Sequence, residues 1–341
     1  MIEAHTVDAW TRAADRRSAA FGVAGILGGF AAPLFLWLAG VAVAFAIARS
    51  ESAGTSRRDA VEAICRRGLE IFILAFLFRL QAFIVSPGGS PVKLFRVDIL
   101  NVMGPAIVGA GLLWLAATSR RGRIAVYAMA AAVVGLVTPV VRTAQWVDAM
   151  PIWLQWYVRP AGEYTTFTMF PWSGFVLAGV ACGLLMTGAA DSRQARRGRV
   201  TLTLAGLACL IGGAYASTLP TIYQESSFWT SSPTWFSIRL GVMMLALAAL
   251  DAIAAWAAAV SWLGWLERFG RSSLFVYWIH VELVYGYASW WWRGRLPLWG
   301  TAVGFVLFSA VMLAAAHLRD AVVNAWRRRP KAAPAPQPAP A

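Results

Sequence analysis

A polar stripe inside an apolar segment is the first place where this sequence could do chemistry. In GRSSLFVYWIHVELVYGYASWWW, the polar side chains of Ser273, Tyr277, His280 and Tyr287 are spaced by 4, 3 and 7 residues. On a helix this spacing puts them on one face. A histidine beside tyrosines can orient a substrate or titrate near neutral pH. The alternative is a histidine whose hydrogen bonds only join neighbouring helices.

Cationic side chains supply a second set of candidates. Glu70 follows Arg66 by four residues and Arg67 by three. They predict either a salt-bridged anchor among lipid headgroups or a cationic mouth for a phosphate-bearing donor. Arg79 lies deeper in the same apolar segment and needs an acidic partner. The residues that could supply one are Glu70, Asp98 and Asp251.

The stretch FRVDILNVMG places Asp98 and Asn101 where the next apolar segment begins. Asp98 could cap that helix through its carboxylate. Both residues could equally line the mouth of a site, and the sequence leaves the two readings open.

Composition shows what kind of element must position these residues. Of 341 residues, 59% are apolar and 13% are charged, against about 45–50% and 25% in soluble domains. The mean hydropathy is +0.60. These values exclude a soluble enzyme and predict an all-α, polytopic transmembrane helical bundle in the lipid bilayer of a cell membrane. We expect nine full spans, since each needs about 20 apolar residues. They cover residues 22–48, 68–86, 99–118, 124–141, 167–189, 201–218, 236–259, 272–290 and 297–319.

The net charge of +14 describes topology rather than nucleic-acid binding. Eighteen of the 30 Lys and Arg residues fall in one set of alternating loops, nine in the other, and Arg79, Arg239 and Arg319 fall in or beside spans. The positive-inside rule therefore predicts a cytoplasmic C-terminus and an outer N-terminal segment. Two aromatic loops, 142–166 and 219–235, are then outside. They predict an interfacial belt or surfaces on which sugar rings stack.

The ends of the chain and its cysteines add less. We expect one domain over residues 1–326, in which 1–20 has no apolar core, and a disordered, basic, Pro/Ala-rich cytoplasmic tail over 327–341. Cys65, Cys182 and Cys209 form no CxxC motif, so neither a disulfide framework nor a metal site is expected.

Several stretches resemble one family. They are MIEAHTVDAW, FAAPLFLWLAG at 30–40, VDILNVMGPAIV, FPWSGFVLAG at 170–179 and FGRSSLFVYWIHVE. In type and order they resemble bacterial membrane proteins with a heparan-alpha-glucosaminide N-acetyltransferase catalytic-type domain, within the transmembrane acyltransferases. The resemblance covers most of residues 1–290.

The resemblance implies transfer of an acyl group from cytoplasmic acyl-CoA to a sugar hydroxyl or amine on the outer side. The acyl group expected is acetyl. The resemblance also implies no bound cofactor, with acetyl-CoA as co-substrate and a glycan or other sugar as acceptor. His5 matches the catalytic base, and His280 with Tyr277 would orient the acceptor or stabilise an oxyanion. Arg66, Arg67 and Arg79 would hold the donor. The oligomeric state, including a homo-oligomer, stays open.

The beginning of the sequence departs from the family's pattern. The family's Arg-Gly pair, expected some ten residues before His5, is absent, so residues 1–20 resemble the remnant of a first span that began upstream.

A transporter or flippase could instead use Arg79, Asp98, Asp251 and His280 as an intramembrane charge relay, and a non-catalytic homologue would share the fold.

Overall fold

The computed structural model describes residues 1–85, 90–187, 192–260 and 264–327, and most of these residues are helical. Within those ranges the extended pairing consists of two isolated parallel bridges. The helices are α1 Ile2–Trp10, α2 Ala19–Gly28, α3 Ala31–Ser52, α4 Arg57–Val85, α5 Ile99–Leu113, α6 Arg120–Thr143, α7 Ile152–Val158, α8 Met169–Met186, α9 Ser192–Ser217, α10 Pro233–Ala259, α11 Gly264–Arg271, α12 Ser273–Tyr285 and α13 Leu298–Arg327.

Seven helical segments of the described residues are long and apolar enough to cross a membrane. They correspond to seven of the nine predicted spans, so the multi-pass membrane fold is confirmed while the count of nine is not. Residues 68–85 of the predicted span 68–86 lie in α4, which carries Arg67, Glu70 and Arg79, and residue 86 lies outside the described residues. The predicted span 272–290 is interrupted, because α12 has 13 residues, a rise of about 20 Å. Gly286, in an extended conformation, follows its last residue.

The chain divides into two compact units, and the larger comprises Gly25–Ala257. In this unit α3 packs on α8 through glycines. A Cβ on Gly40 would lie 1.9 Å from the carbonyl oxygen of Val176, and one on Gly179 would lie 2.0 Å from that of Trp37. Small residues let two backbones approach this closely in membranes, where packing rather than the hydrophobic effect joins helices.

Arginines in the loops predicted to be cytoplasmic hold helix ends of this unit. The Arg57 guanidinium donates to the carbonyl oxygens of Trp114 and Ala117, just beyond α5. Arg120 donates to Leu184 O at 2.7 Å and to Thr187 O at 3.0 Å, at the end of α8. The last four carbonyls of a helix lack intrahelical partners. These arginines therefore satisfy backbone groups at the helix ends.

The smaller unit comprises Met1–Ala24 together with the chain from Ala258 onward. It contains α1, α11, α12 and α13. Asp15 Oδ2 accepts a hydrogen bond from Leu298 N at 2.8 Å, so a side chain from the N-terminal segment caps the start of α13. At the other end of that helix, Asp320 lies 3.0 Å from Arg268. Most of the predicted tail, 328–341, lies outside the described residues.

Candidate functional site

The position of α1 on the smaller unit is fixed by Trp10. Its indole is 4% exposed and donates to Val284 O at 3.3 Å. The rings of Trp292 and Phe308 contact it edge-on at 5.9 and 5.5 Å. A short extended pairing follows, in which Arg12 N donates to Leu296 O at 2.8 Å. These contacts join the first helix to the segment between α12 and α13, and so determine where His5 lies.

His5 and His280 meet in this unit. Their ring centroids are 5.2 Å apart, with the planes tilted by 47°. His5 is half-buried and His280 is fully buried. His280 Nδ1 lies 2.7 Å from Val276 O. Because a carbonyl can only accept, Nδ1 carries the hydrogen and Nε2 carries a lone pair. Nε2 has no hydrogen-bond partner among the described residues.

Tyr277 lies beside this pair. It is 5% exposed, and its ring meets that of His280 edge-on at 5.9 Å. The structure therefore brings together all three residues predicted to be catalytic. The other members of the predicted stripe do not join them. Ser273 is exposed, and Tyr287 lies past the end of α12, where it is 56% exposed.

Two residues that the sequence interpretation missed complete the cluster. The hydroxyl of Tyr285 lies 3.1 Å from His5 Nδ1 and 2.7 Å from Asp8 Oδ2. Asp8 stands three residues after His5 on α1. Because this spacing puts both residues on one helical face, the sequence could have indicated Asp8 as a member of the cluster. The contact of Tyr285 depends on where α12 ends, which periodicity alone does not locate.

The predicted donor cations lie in the larger unit. Arg66 and Arg67 are exposed on α4, and Arg67 Nη1 is 2.9 Å from Glu70 Oε2. This ion pair is the one that the spacing predicts. Because both of its side chains are more than half exposed, it contributes little to stability, and a phosphate could compete for the arginine.

Arg79 pairs with Asp98, one of the three acids that the sequence suggested. Asp98 also caps α5, and Asn101 completes a capping box by accepting from Asp98 N at 3.0 Å. The amide of Asn101 faces the hydroxyl of Tyr157 at 3.5 Å. Burial raises the pKa of Tyr157, in the loop helix α7. The capping alternative is therefore present, and the pair neutralises the deepest arginine of α4.

Aromatic residues of the predicted outer loops divide into two groups. Trp156 and Tyr164 stack at 4.8 Å with planes 9° apart. Trp235 is buried, with the Arg239 guanidinium 4.5 Å from its ring centroid. In contrast, more than half of the side chain is exposed in Trp146, Trp153 and Trp229. The exposed group can serve as a belt or as a stacking surface.

The described residues hold no group of three or more His, Cys, Asp or Glu side chains able to bind a metal ion. Comparison with curated proteins gives no match. Comparison with protein families matches residues 1–218, nearly two-thirds of the chain, to one family. That range includes His5 and the α4 arginines, whereas His280 and Tyr285 lie beyond it. On this match the chain belongs to the family described as heparan-alpha-glucosaminide N-acetyltransferase, catalytic.

Proposed function

We propose that the protein is an integral membrane acetyltransferase. It moves an acetyl group from cytoplasmic acetyl-CoA to a hydroxyl or amine of a sugar on the outer side of the cell membrane, with its C-terminus in the cytoplasm. The observation that carries this proposal is the contact between His5 and His280 in a chain of this family.

In the proposed reaction His5 is the general base. It takes the proton of the acceptor hydroxyl or amine as that atom attacks the acetyl carbonyl carbon. The new C–O or C–N bond forms, the C–S bond of the thioester breaks, and coenzyme A leaves as the thiolate. The proton on His5 then passes to the thiolate or to water. An imidazole with a pKa near 6.5 suits this task at neutral pH.

His280 has the geometry of an acceptor-orienting group. Its Nδ1–H is donated to Val276 O, so its Nε2 accepts a hydrogen bond and cannot donate one to an oxyanion in this tautomer. We therefore assign His280 to holding a hydroxyl or amine hydrogen of the sugar. Tyr277, whose hydroxyl can donate, is the better candidate for stabilising the developing oxyanion.

Charge, exposure and predicted side of the membrane assign the residues that would bind the donor and the acceptor. Arg66 and Arg67, exposed at the predicted cytoplasmic side of α4, would meet the phosphates of coenzyme A. Arg79 would join them only by exchanging its partner Asp98 for a phosphate of the donor. On the outer side, the exposed rings of Trp153 and Trp229 would stack on the sugar.

The test uses proteoliposomes with labelled acetyl-CoA outside and glucosamine enclosed. We expect labelled N-acetylglucosamine inside the vesicles, made by protein whose predicted cytoplasmic face is outward. His5→Ala should reduce turnover about 100-fold or more, the scale of a lost general base, without changing membrane insertion. His317→Ala is the matched control, because His317 is exposed on α13.

Two outcomes would overturn the proposal. Wild-type turnover in His5→Ala removes His5 from the mechanism. Transport of glucosamine without donor or product would indicate the transporter instead. Against the transporter, three residues of its predicted relay are already paired, since Arg79 binds Asp98 and Asp251 lies 2.7 Å from Arg199.

A further inference from the structure

We propose that Tyr285 and Asp8 are positioning residues that fix the tautomer of His5. The inference rests on the proposed function, in which His5 is the base. It concerns which ring nitrogen of His5 carries the lone pair, and so which nitrogen can take the acceptor's proton.

Counting hydrogens along the chain of contacts gives the assignment. Asp8 Oδ2 lies 2.7 Å from the Tyr285 hydroxyl, and an ionised carboxylate can only accept. The single hydroxyl hydrogen of Tyr285 is therefore donated to Asp8. At 3.1 Å from His5 Nδ1, the same oxygen can then only accept, so Nδ1 must be the donor. In the neutral ring this leaves the lone pair on Nε2, the nitrogen that acts as base.

The two contacts also orient the ring. The rings of His5 and Tyr285 meet edge-on, with centroids 5.5 Å apart and planes at 80°. When His5 takes a proton, the imidazolium keeps Nδ1–H directed at the tyrosine oxygen, and the carboxylate behind it favours the positive charge. This is the role that an acid behind a histidine plays in a catalytic triad, with a tyrosine interposed.

The backbone of both positioning residues is held by separate contacts. Arg16 donates to the carbonyl oxygen of Asp8, and Arg293 donates to that of Tyr285 at 2.9 Å. The neighbouring Val284 accepts from Trp10. Since these contacts do not involve the phenol or the carboxylate, changes to the two side chains should leave the backbone arrangement in place.

The alternative is that the Tyr285–Asp8 hydrogen bond only joins α1 to α12. The two roles differ in what Tyr285→Phe and Asp8→Ala would do. A purely structural bond predicts lower stability and an unchanged imidazole tautomer. A positioning role predicts a changed tautomer in both variants. Tyr285→Phe removes the acceptor for Nδ1–H, so both tautomers become populated. Asp8→Ala lets the tyrosine donate to Nδ1, which moves the ring hydrogen to Nε2.

The experiment is ¹⁵N NMR of histidine-labelled protein in lipid bilayers. The chain has three histidines, and His317→Ala and His280→Gln assign the other two signals. We expect neutral His5 to carry its hydrogen on Nδ1 in the wild type, both tautomers in Tyr285→Phe, and the Nε2–H form in Asp8→Ala. In the acetyl-transfer assay kcat should fall about 10- to 100-fold in both variants, where tenfold corresponds to about 1.4 kcal/mol, with KM changed less than about twofold.

The matched control is Tyr287→Phe, which removes an exposed hydroxyl two residues away and should match the wild type in NMR and in kcat. A wild-type His5 with its hydrogen on Nε2, or a tautomer unchanged in both variants, would overturn the inference. The NMR measurement needs no turnover, so it separates this failure from failure of the proposed function. The latter would show as full activity in His5→Ala.

Discussion

The ring centroids of His5 and His280 are 5.2 Å apart, although His5 belongs to α1 and His280 to α12. The two histidines differ in their surroundings. The Nδ1 of His5 faces a tyrosine that is bound to a carboxylate, whereas that of His280 faces a backbone carbonyl. Under the proposed function, this difference suits His5 to proton transfer and His280 to hydrogen bonding with the acceptor.

The hydrogen-bonding role of His280 can be tested by two amides. In His280→Asn the amide nitrogen can replace Nδ1 and keep the bond to Val276 O, but nothing replaces Nε2. In His280→Gln the amide can reach the position of Nε2 and accept a hydrogen bond there. If Nε2 orients the acceptor, the Gln variant should keep roughly ten times more activity than the Asn variant, or about 1.4 kcal/mol. Equal activities of the two variants in the acetyl-transfer assay would contradict this role.

The pair of Arg79 and Asp98 predicts an asymmetry in stability. Their side chains are 16% and 10% exposed, and loss of one partner leaves a nearly buried charge. Arg79→Leu or Asp98→Leu should each lower the free energy of unfolding by about 3 kcal/mol. The double variant should cost less than the two single costs added together, a comparison made by denaturant unfolding in detergent. Strict additivity would show that the two charges do not depend on each other.

The crossing of α3 and α8 should not tolerate a side chain at Gly40. A methyl group there would have to displace the Val176 carbonyl, which lies 1.9 Å from the added Cβ. We expect Gly40→Ala to reduce stability by about 2–3 kcal/mol, as other overpacked cores do. The matched control is Gly212→Ala on α9, where the added Cβ would have no neighbour within 4 Å among the described residues outside its own turn of helix. Because alanine favours a helix over glycine, the control should gain about 0.5–1 kcal/mol. Similar thermal unfolding of the two variants would refute the expectation.

Asp15 predicts a pH dependence at the start of α13. The hydrogen bond from Leu298 N, together with Arg12, lowers the pKa of this carboxyl below its usual value. A lowered pKa in the folded state means that the carboxylate stabilises the fold above the unfolded pKa of about 3.9. That stabilisation is lost as pH falls through the folded value. The difference in thermal midpoint between wild type and Asp15→Asn should therefore be full at pH 6–7 and shrink below about pH 4. A difference that stays constant with pH would contradict it.

Most of the membrane fold could be predicted from apolar segment length, because seven of the nine predicted segments are helices that can span a bilayer. The eighth segment, 272–290, shows why length alone fails. Its apolar residues continue to Trp292, but α12 ends at Tyr285 and a 3-10 turn follows from Tyr287 to Ser289. The spacing of seven residues from His280 predicts Tyr287 on the same helical face. That prediction requires the helix to continue past Tyr285, where α12 ends.

The two histidines of the candidate site could be predicted from the sequence, whereas the residues that contact His5 could be predicted only in part. His280 was identified by its cost of burial, and His5 by resemblance to the family. Tyr285 has no sequence signal of its own, since its contact with His5 joins residues 280 positions apart. The partner of Arg79 could be narrowed to three acids, while the choice of Asp98 depends on how α4 packs against α5.

The contacts of Trp10 with Val284 and of Arg12 with Leu296 join parts of the protein that the ribosome makes far apart in time. His280 and Tyr285, the partners of His5, are synthesised 275 and 280 residues after it. The cluster of His5, His280 and Tyr285 therefore cannot form before α12 has been made, however well the preceding helices have inserted. Premature termination anywhere before α12 would leave His5 without these partners, so under the proposed function acetyl transfer requires synthesis to have passed α12.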